Sequence, residues 1–218
     1  MTSSRYIGCS GFFGPPTRYW PLFNCVEITD TESLTPGDAS VRRWLREAPK
    51  GYAFSVLMPK EIGQEGFATV GKDAPRFNEV ADVAATLNAE AIVFAAPSDF
   101  APTSVNKSRL RAFIDALPKG VPTAVFDLPA FSLDEAMAVA DTKRSIVATH
   151  PLTRNPKPRK DLIYHRLPGP AGHRSRYDED ALQRIAAGLR ESNATTTFCI
   201  LSNIDALTNA TALSRLMK

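Results

Sequence analysis

Residues 91–127 read AIVFAAPSDFAPTSVNKSRLRAFIDALPKGVPTAVFD, with two short apolar runs on either side of a helical pattern. The runs 91–95 and 122–126 have the length and composition of buried strands. Between them, Ser104 can cap a helix that carries apolar residues at helical spacing as far as Leu117. A strand, a helix and a second strand in succession are typical of a parallel sheet, so this stretch predicts an α/β fold.

The same alternation continues along the rest of the chain. Eight strands are predicted, at 5–10, 25–29, 52–57, 91–95, 122–126, 145–149, 162–167 and 196–201. Between the sixth and seventh strands the segment HPLTRNPKPRK contains three prolines, which exclude an ordinary helix. Eight such units predict a TIM-type (β/α)8 barrel with parallel strands and this one crossover reduced to a loop. An open doubly wound sheet is the alternative, although no dinucleotide-binding glycine motif follows the first strand.

The composition indicates a single globular domain that spans residues 1–218, with 44% hydrophobic and 22% charged residues. No apolar run approaches the roughly 18 residues needed to cross a bilayer, and the first residues lack a signal-peptide pattern. We therefore expect a cytoplasmic protein without membrane association. Cys9, Cys25 and Cys199 lie in separate apolar runs, which predicts free, buried thiols. No metal site is predicted, and the sequence leaves the cofactor and the oligomeric state unknown.

Basic residues are concentrated between Lys143 and Arg176, where Asp161 is the one acidic residue. The ordinary interpretation is a solvated basic loop. A more specific interpretation is an attractive field for an anionic ligand such as a phosphate. Nucleic-acid binding is the least favoured interpretation, because the net charge of the whole chain is only +3.

Several motifs, in order along almost the whole chain, resemble the YecE-like family, also known as domain of unknown function 72. The motifs are IGCSGF at 7–12, FNCVEI at 23–28, Trp44 followed by PKGYAF at 49–54, APSDF at 96–100, YHRLPG at 164–169, and Asn203 with Asn209 and Ala210. The resemblance implies a TIM-type barrel with a polar pocket at the strand ends, in a family without an assigned reaction.

The chain also departs from the pattern of that family, so the resemblance is to a divergent and shortened member. Positions that are polar in the family but changed in this chain are Leu57, Ala95, Val125, Asp127, Pro168 and Ser202. What the resemblance implies is that most proton-transfer groups of the family are absent here. Catalysis is therefore left open.

Strand alternation draws attention to Glu27 in the second strand. Its side chain is predicted to lie on the face opposite Val26 and Ile28, away from the helices. A buried charge needs a partner, and Arg166, which shares a face of the seventh strand with Tyr164, is the predicted partner. The structural interpretation is a buried ion pair, and the functional one is a catalytic base or a ligand anchor.

Further polar residues are predicted at the carboxyl ends of the strands. The predicted ligand-binding residues are Arg166, Tyr164, Asn203, Ser10, His173 and Arg174, and the predicted catalytic residues are Glu27 and Asp127. A guanidinium suits a carboxylate or phosphate because it can form two parallel hydrogen bonds. Loops after the seventh and eighth strands often hold the phosphate in barrels of this type. For most of these residues, packing, capping or turn formation is the structural alternative.

Three functions are compatible with these residues. The first is an enzyme that acts on a small anionic or phosphorylated metabolite, with Arg166 as anchor and Glu27 or Asp127 as acid or base. The second is a barrel that binds a ligand without catalysis, which the changed family positions favour. The third is nucleic-acid binding through the basic segment 143–176, which would strengthen at low salt.

Overall fold

The structure is a computed structural model that describes residues 3–68, 75–153 and 161–218. Each of the eight predicted strands is present, with bounds that differ from the predicted ones by no more than two residues. The strands are β1 (Ser4–Cys9), β2 (Cys25–Ile28), β3 (Ala53–Leu57), β4 (Ala91–Ala95), β5 (Thr123–Asp127), β6 (Ser145–Val147), β7 (Leu162–Leu167) and β8 (Thr196–Leu201).

Helices alternate with these strands. They are α1 (Pro16–Tyr19), a 3-10 helix (Asp30–Glu32), α2 (Asp38–Glu47), α3 (Lys60–Gln64), α4 (Pro75–Thr86), α5 (Ser104–Ala116), α6 (Leu133–Ala140), α7 (Glu179–Glu191) and α8 (Ala206–Leu216). Thr103, one residue earlier than expected, caps α5 by accepting a hydrogen bond from the backbone of Asn106. In the described ranges, no helix has both the length and the apolar character that a membrane crossing requires.

The strands form two sheets, ordered β1-β8-β7 and β2-β3-β4-β5-β6. Every pairing whose register is described is parallel. The predicted α/β fold with parallel strands is therefore confirmed, whereas these sheets do not by themselves form one closed barrel. The predicted loop crossover between β6 and β7 falls partly on residues 154–160, which lie outside the described residues.

The chain divides into two compact units. The first comprises Met1–Glu27, Pro49–Ala53 and Ala148–Lys218, and the second comprises Ile28–Ala48 and Phe54–Val147. That the chain is one domain stays a prediction.

In the first unit, residues two apart on β1, β8 and β7 share a face. Tyr6, Phe198 and Tyr164 are in register across the three strands, with ring centroids 4.9 Å apart for Tyr6–Phe198 and 5.3 Å apart for Phe198–Tyr164. Two residues nearer the carboxyl ends, Gly8 of β1 and Arg166 of β7 are both in register with Ile200 of β8. This face therefore changes from aromatic to charged toward the ends of the strands.

The second unit is built around phenylalanines. Phe94 of β4 stacks on Phe126 of β5 at 5.0 Å and meets Phe113 of α5 edge-on at 5.2 Å. These contacts identify the face of β4 and β5 that packs against the helices. Between α5 and α6, Lys107 donates to Glu135 at 2.9 Å.

Candidate functional site

The centre of the candidate site is the carboxylate of Glu27, whose side chain is 0% exposed. The Ser10 hydroxyl donates to Oε1 at 2.7 Å, and Arg166 Nη2 donates to the same oxygen at 2.8 Å. The Tyr164 hydroxyl donates to Oε2 at 2.9 Å. Both oxygens accept hydrogen bonds, so this buried charge is paired and bonded as burial requires.

Strand geometry brings these four residues together. Ser10 directly follows β1 and forms a parallel bridge with Glu27. Tyr164 and Arg166 are two residues apart on β7, so both side chains lie on one face. The ion pair that strand alternation predicts is therefore present, together with the predicted residues Ser10 and Tyr164.

Gly8 allows the close approach of β1 to β2 that this arrangement needs. A Cβ atom at Gly8 would lie 2.2 Å from the carbonyl oxygen of Cys25, closer than any non-bonded contact allows. Tyr19 links the same two strands, because its hydroxyl accepts from the Cys9 amide at 2.6 Å and contacts the Cys25 carbonyl oxygen at 3.2 Å. The sequence reasoning missed Tyr19, although Pro15 and Pro16 are a signal for the start of a helix.

Arg166 differs from Glu27 in its access to solvent. Its side chain is 13% exposed, whereas that of Glu27 is fully buried. The backbone of Arg166 is also fixed, because its amide donates to the Thr149 carbonyl oxygen at 3.1 Å. The guanidinium is thus bound by a buried carboxylate, and the Arg166 side chain retains a small exposed fraction.

The loop between β7 and α7 contains the predicted residues His173 and Arg174, and both are exposed. His173 Nδ1 donates to the Ser202 carbonyl oxygen at 2.5 Å, and the Ile204 amide donates to the His173 carbonyl oxygen at 2.7 Å. Arg176 of the same loop forms an ion pair with Asp205 at 2.5 Å. These contacts attach the loop to the residues after β8.

The predicted residue Asn203 is buried and also holds this loop. Its Nδ2 donates to the Ser175 carbonyl oxygen at 3.1 Å and to Asn209 Oδ1 at 2.9 Å. Asn209 in turn bonds both the amide and the carbonyl oxygen of Tyr177. The contacts of Asn203 are therefore those of a residue that orders a loop, and a contact with a ligand stays a prediction.

Two histidines and a tyrosine form a second polar cluster in the first unit. His150 Nε2 lies 2.8 Å from the Tyr177 hydroxyl, which accepts from the Gly169 amide at 3.0 Å. His165 Nδ1 lies 2.7 Å from Thr149 Oγ1. Burial lowers the pKa of His150, and burial followed by the neighbouring His150 lowers the pKa of His165 to about 3. The imidazole of His165 is therefore neutral at pH 7.

The three cysteines are free and buried, as predicted. Burial raises the pKa of the Cys9 thiol to about 12, and it raises the pKa values of Cys25 and Cys199 as well. A thiol with a raised pKa is a poor nucleophile near neutral pH, so these groups are packing residues. Among the described residues, no group of three or more histidine, cysteine, aspartate or glutamate side chains is arranged to hold a metal ion.

The second unit contains the predicted catalytic residue Asp127, at the end of β5. Val93 pairs with Val125, and Ala95 pairs with Asp127. These residues share the face opposite Phe94 and Phe126. Asp127 is partly exposed, which leaves its predicted role as acid or base untested.

The fold and the site define a parallel α/β protein with a buried carboxylate–guanidinium pair at the carboxyl ends of its strands. The family model described as "Protein of unknown function DUF72" matches residues 17–218. The chain belongs to this family, in agreement with its resemblance to YecE-like sequences.

Solved structures of the same family have a similar fold. A DUF72 family protein from Enterococcus faecalis has a TM-score of 0.72 at 16% identity, over 99% of this chain and 98% of that chain. A DUF72 family protein from Thermotoga maritima has a TM-score of 0.71 at 16% identity, over 98% of each chain. A further solved structure with a similar fold is described as a chitinase, from Rhizomucor miehei. It has a TM-score of 0.57 at 9% identity, over 97% of this chain and 99% of that chain. No protein with a curated description matches the chain.

Proposed function

We propose that this chain binds a small anionic ligand at Arg166, and that Glu27 positions the guanidinium rather than acting on a substrate. The observation that supports this proposal is the difference in burial, because Glu27 is 0% exposed and Arg166 is 13% exposed. A general base must come within hydrogen-bond reach of its substrate. A guanidinium held by a carboxylate on one side can still contact a ligand at its exposed edge.

The enzyme hypothesis depends on Asp127, because Glu27 has no exposed surface in this structure. The likeness to a chitinase does not strengthen that hypothesis. At 9% identity it concerns the fold alone, and glycosidases generally need two carboxyl groups that flank the scissile bond. Binding without catalysis is therefore the better supported proposal.

Nucleic-acid binding through the segment 143–176 has weaker support. Arg166 and Arg176 are each paired with a carboxylate, and Arg144 donates to the Pro118 carbonyl oxygen. The two carboxylates offset the positive charge of Arg166 and Arg176, and Arg144 uses one of its donors on a backbone carbonyl oxygen. The cations between 154 and 160 lie outside the described residues. Undetectable affinity for oligonucleotides at low salt would exclude this alternative.

We also infer that the strands close into the TIM-type barrel expected from the sequence. Isolated parallel bridges support closure, because Ser10 pairs with Glu27 and Thr149 pairs with His165. The first bridge connects the end of β1 with β2, and the second connects β7 with a residue that follows β6. A single domain and a cytoplasmic location remain predictions.

The test of the binding proposal is calorimetric titration with sodium acetate and with inorganic phosphate. We expect saturable binding of at least one of these anions, weakened at least about tenfold by Arg166→Met. Arg42→Met is the matched control, because Arg42 is a 73% exposed surface residue. The double variant Glu27→Gln with Arg166→Met removes both charges, so it tests binding without leaving a buried carboxylate unpaired. Unchanged anion binding in both Arg166 variants would contradict the proposal.

A further inference from the structure

We propose that Glu27 makes the site selective for monoanions, such as carboxylates, over dianions. This inference rests on the proposed anion site at Arg166 and names the charge of the ligand. It follows from the charges that surround the guanidinium and from the way in which Glu27 is fixed.

The Arg166–Glu27 pair has a net charge of zero. Both Glu27 oxygens accept hydrogen bonds from Ser10, Tyr164 and Arg166, which is the bonding pattern of an ionised carboxylate. The negative charge therefore lies 2.8 Å from the guanidinium nitrogen Nη2. A ligand that approaches Arg166 meets a cation whose charge is already balanced.

Two other arginines of the first unit are engaged in contacts, and one histidine is neutral. Arg176 is paired with Asp205, and Arg5 donates to the carbonyl oxygens of Leu189 and Ala194. The nearby ring of His165 is neutral because burial lowers its pKa to about 3. Arg166 is the cation of the proposed site, and the Glu27 carboxylate lies 2.8 Å from it.

A second negative charge on the ligand adds little binding free energy at such a pair. A ligand oxygen bonded to the guanidinium lies about 3 Å from its nitrogen and roughly 5 Å from the Glu27 carboxylate. The added attraction to Arg166 is therefore largely offset by repulsion from Glu27. Removal of a dianion from water costs more than removal of a monoanion, because ion solvation grows steeply with charge. The balance favours the monoanion.

Glu27 cannot avoid this repulsion by moving or by solvent screening. Three hydrogen bonds fix its carboxylate, and the 0% exposure of its side chain keeps mobile salt ions away from it. A surface carboxylate at the same distance would be screened at physiological ionic strength. The buried location of Glu27 thus converts an ion pair into a determinant of charge selectivity.

The first experiment uses the wild-type protein and three anions, measured by calorimetry between about pH 5.5 and about pH 8. Acetate remains a monoanion and sulfate a dianion over this range, whereas inorganic phosphate changes from monoanion to dianion. We expect acetate to bind at least about tenfold more tightly than sulfate. We also expect the affinity for phosphate to fall relative to that for acetate as the pH rises. Sulfate binding as tight as acetate binding overturns this inference but leaves the anion site at Arg166 intact.

The second experiment uses Glu27→Gln, which keeps an oxygen that can accept hydrogen bonds from Ser10 or Tyr164 while removing the charge. The sulfate-to-acetate affinity ratio is expected to rise at least about tenfold in this variant. Glu191→Gln, at an exposed residue of the same unit, is the matched control and keeps the wild-type ratio. An unchanged ratio in folded Glu27→Gln overturns the inference. Absence of binding for all three anions in the wild type overturns the proposed function as well.

Discussion

The fully buried Glu27 depends on Arg166 for compensation of its charge. Glu27→Ala leaves the guanidinium without its carboxylate partner, so we expect the free energy of unfolding to decrease by about 3 to 5 kcal/mol. Asp38→Ala breaks an exposed ion pair with Arg42 at 3.9 Å. We expect this substitution to change the free energy of unfolding by less than about 1 kcal/mol. Urea unfolding of both variants measures the difference. Similar effects of the two substitutions would mean that the buried ion pair contributes no more to the free energy of unfolding than the exposed one.

Gly8 and Gly188 are expected to respond in opposite directions to alanine. At Gly8 the new Cβ would lie 2.2 Å from the Cys25 carbonyl oxygen, so the strands must separate and we expect a loss of at least about 1 kcal/mol. At Gly188, inside α7, the nearest atom would be 3.8 Å away, at Pro151. Gly188→Ala is expected to stabilise the protein by about 0.5 to 1 kcal/mol. Thermal unfolding of the two variants checks the predicted signs.

At the scale of elements, α6 begins with a capping box. Ser132 Oγ accepts from the Glu135 amide, and the Glu135 carboxylate accepts from the Ser132 amide at 3.2 Å. Ser132→Ala is expected to cost about 1 kcal/mol of stability. Ser108→Ala, at an exposed position inside α5, is the matched control and is expected to be neutral or slightly stabilising. Equal losses for the two serines in urea unfolding would exclude a contribution specific to the cap.

His165 on β7 should make stability depend on pH. Its pKa is about 3 in the folded protein and near 6.5 in an unfolded chain. Below about pH 6.5 the unfolded state therefore binds more protons than the folded state. Acidification to about pH 3 progressively favours unfolding. The contribution of His165 to the free energy of unfolding is complete above about pH 6.5 and falls by up to about 1.4 kcal/mol per pH unit on acidification.

The measurement is urea unfolding at a series of pH values. His165→Asn should have a shallower loss of stability between about pH 6 and about pH 3, because asparagine does not titrate. Ser108→Ala removes an exposed side chain that does not titrate and is expected to retain the wild-type slope. A slope that is equal in His165→Asn and the wild type would show that His165 does not cause the pH dependence.

At the scale of the whole molecule, the two tryptophans report on different units. Trp20 belongs to the first unit and Trp44 to the second. If residues 1–218 form one cooperative domain, Trp20→Phe and Trp44→Phe variants should each have one fluorescence transition. Both transitions should coincide with the loss of helical circular dichroism in the same variant. Separated transitions would indicate two domains.

The sequence predicted the strands well because each is a short apolar run between turn residues. It also predicted the pairing of Glu27 with Arg166, since alternation places a charge on the face away from the helices and a charge there needs a partner. The short helices α1 and α3 were missed. A helix of four or five residues has too few turns for an apolar period to be recognised.

The functional contacts of buried polar residues were less predictable. Tyr19, Tyr177 and Asn209 form hydrogen bonds with residues that are distant in the chain or lie in irregular loops. Neither periodicity nor motif spacing encodes such contacts, because loop conformation depends on packing around it.

The amino-acid sequence by itself determined the parallel α/β class, the order of the strands along the chain and the family to which the chain belongs. Those properties depend on local periodicity and on residue identity. Only the tertiary structure decided that Glu27 has no exposed surface while Arg166 retains 13% exposure. Burial results from the packing of residues that are far apart in the chain, so it is not a property of any single strand. That difference supports the proposal that Arg166 anchors a ligand while Glu27 positions the guanidinium.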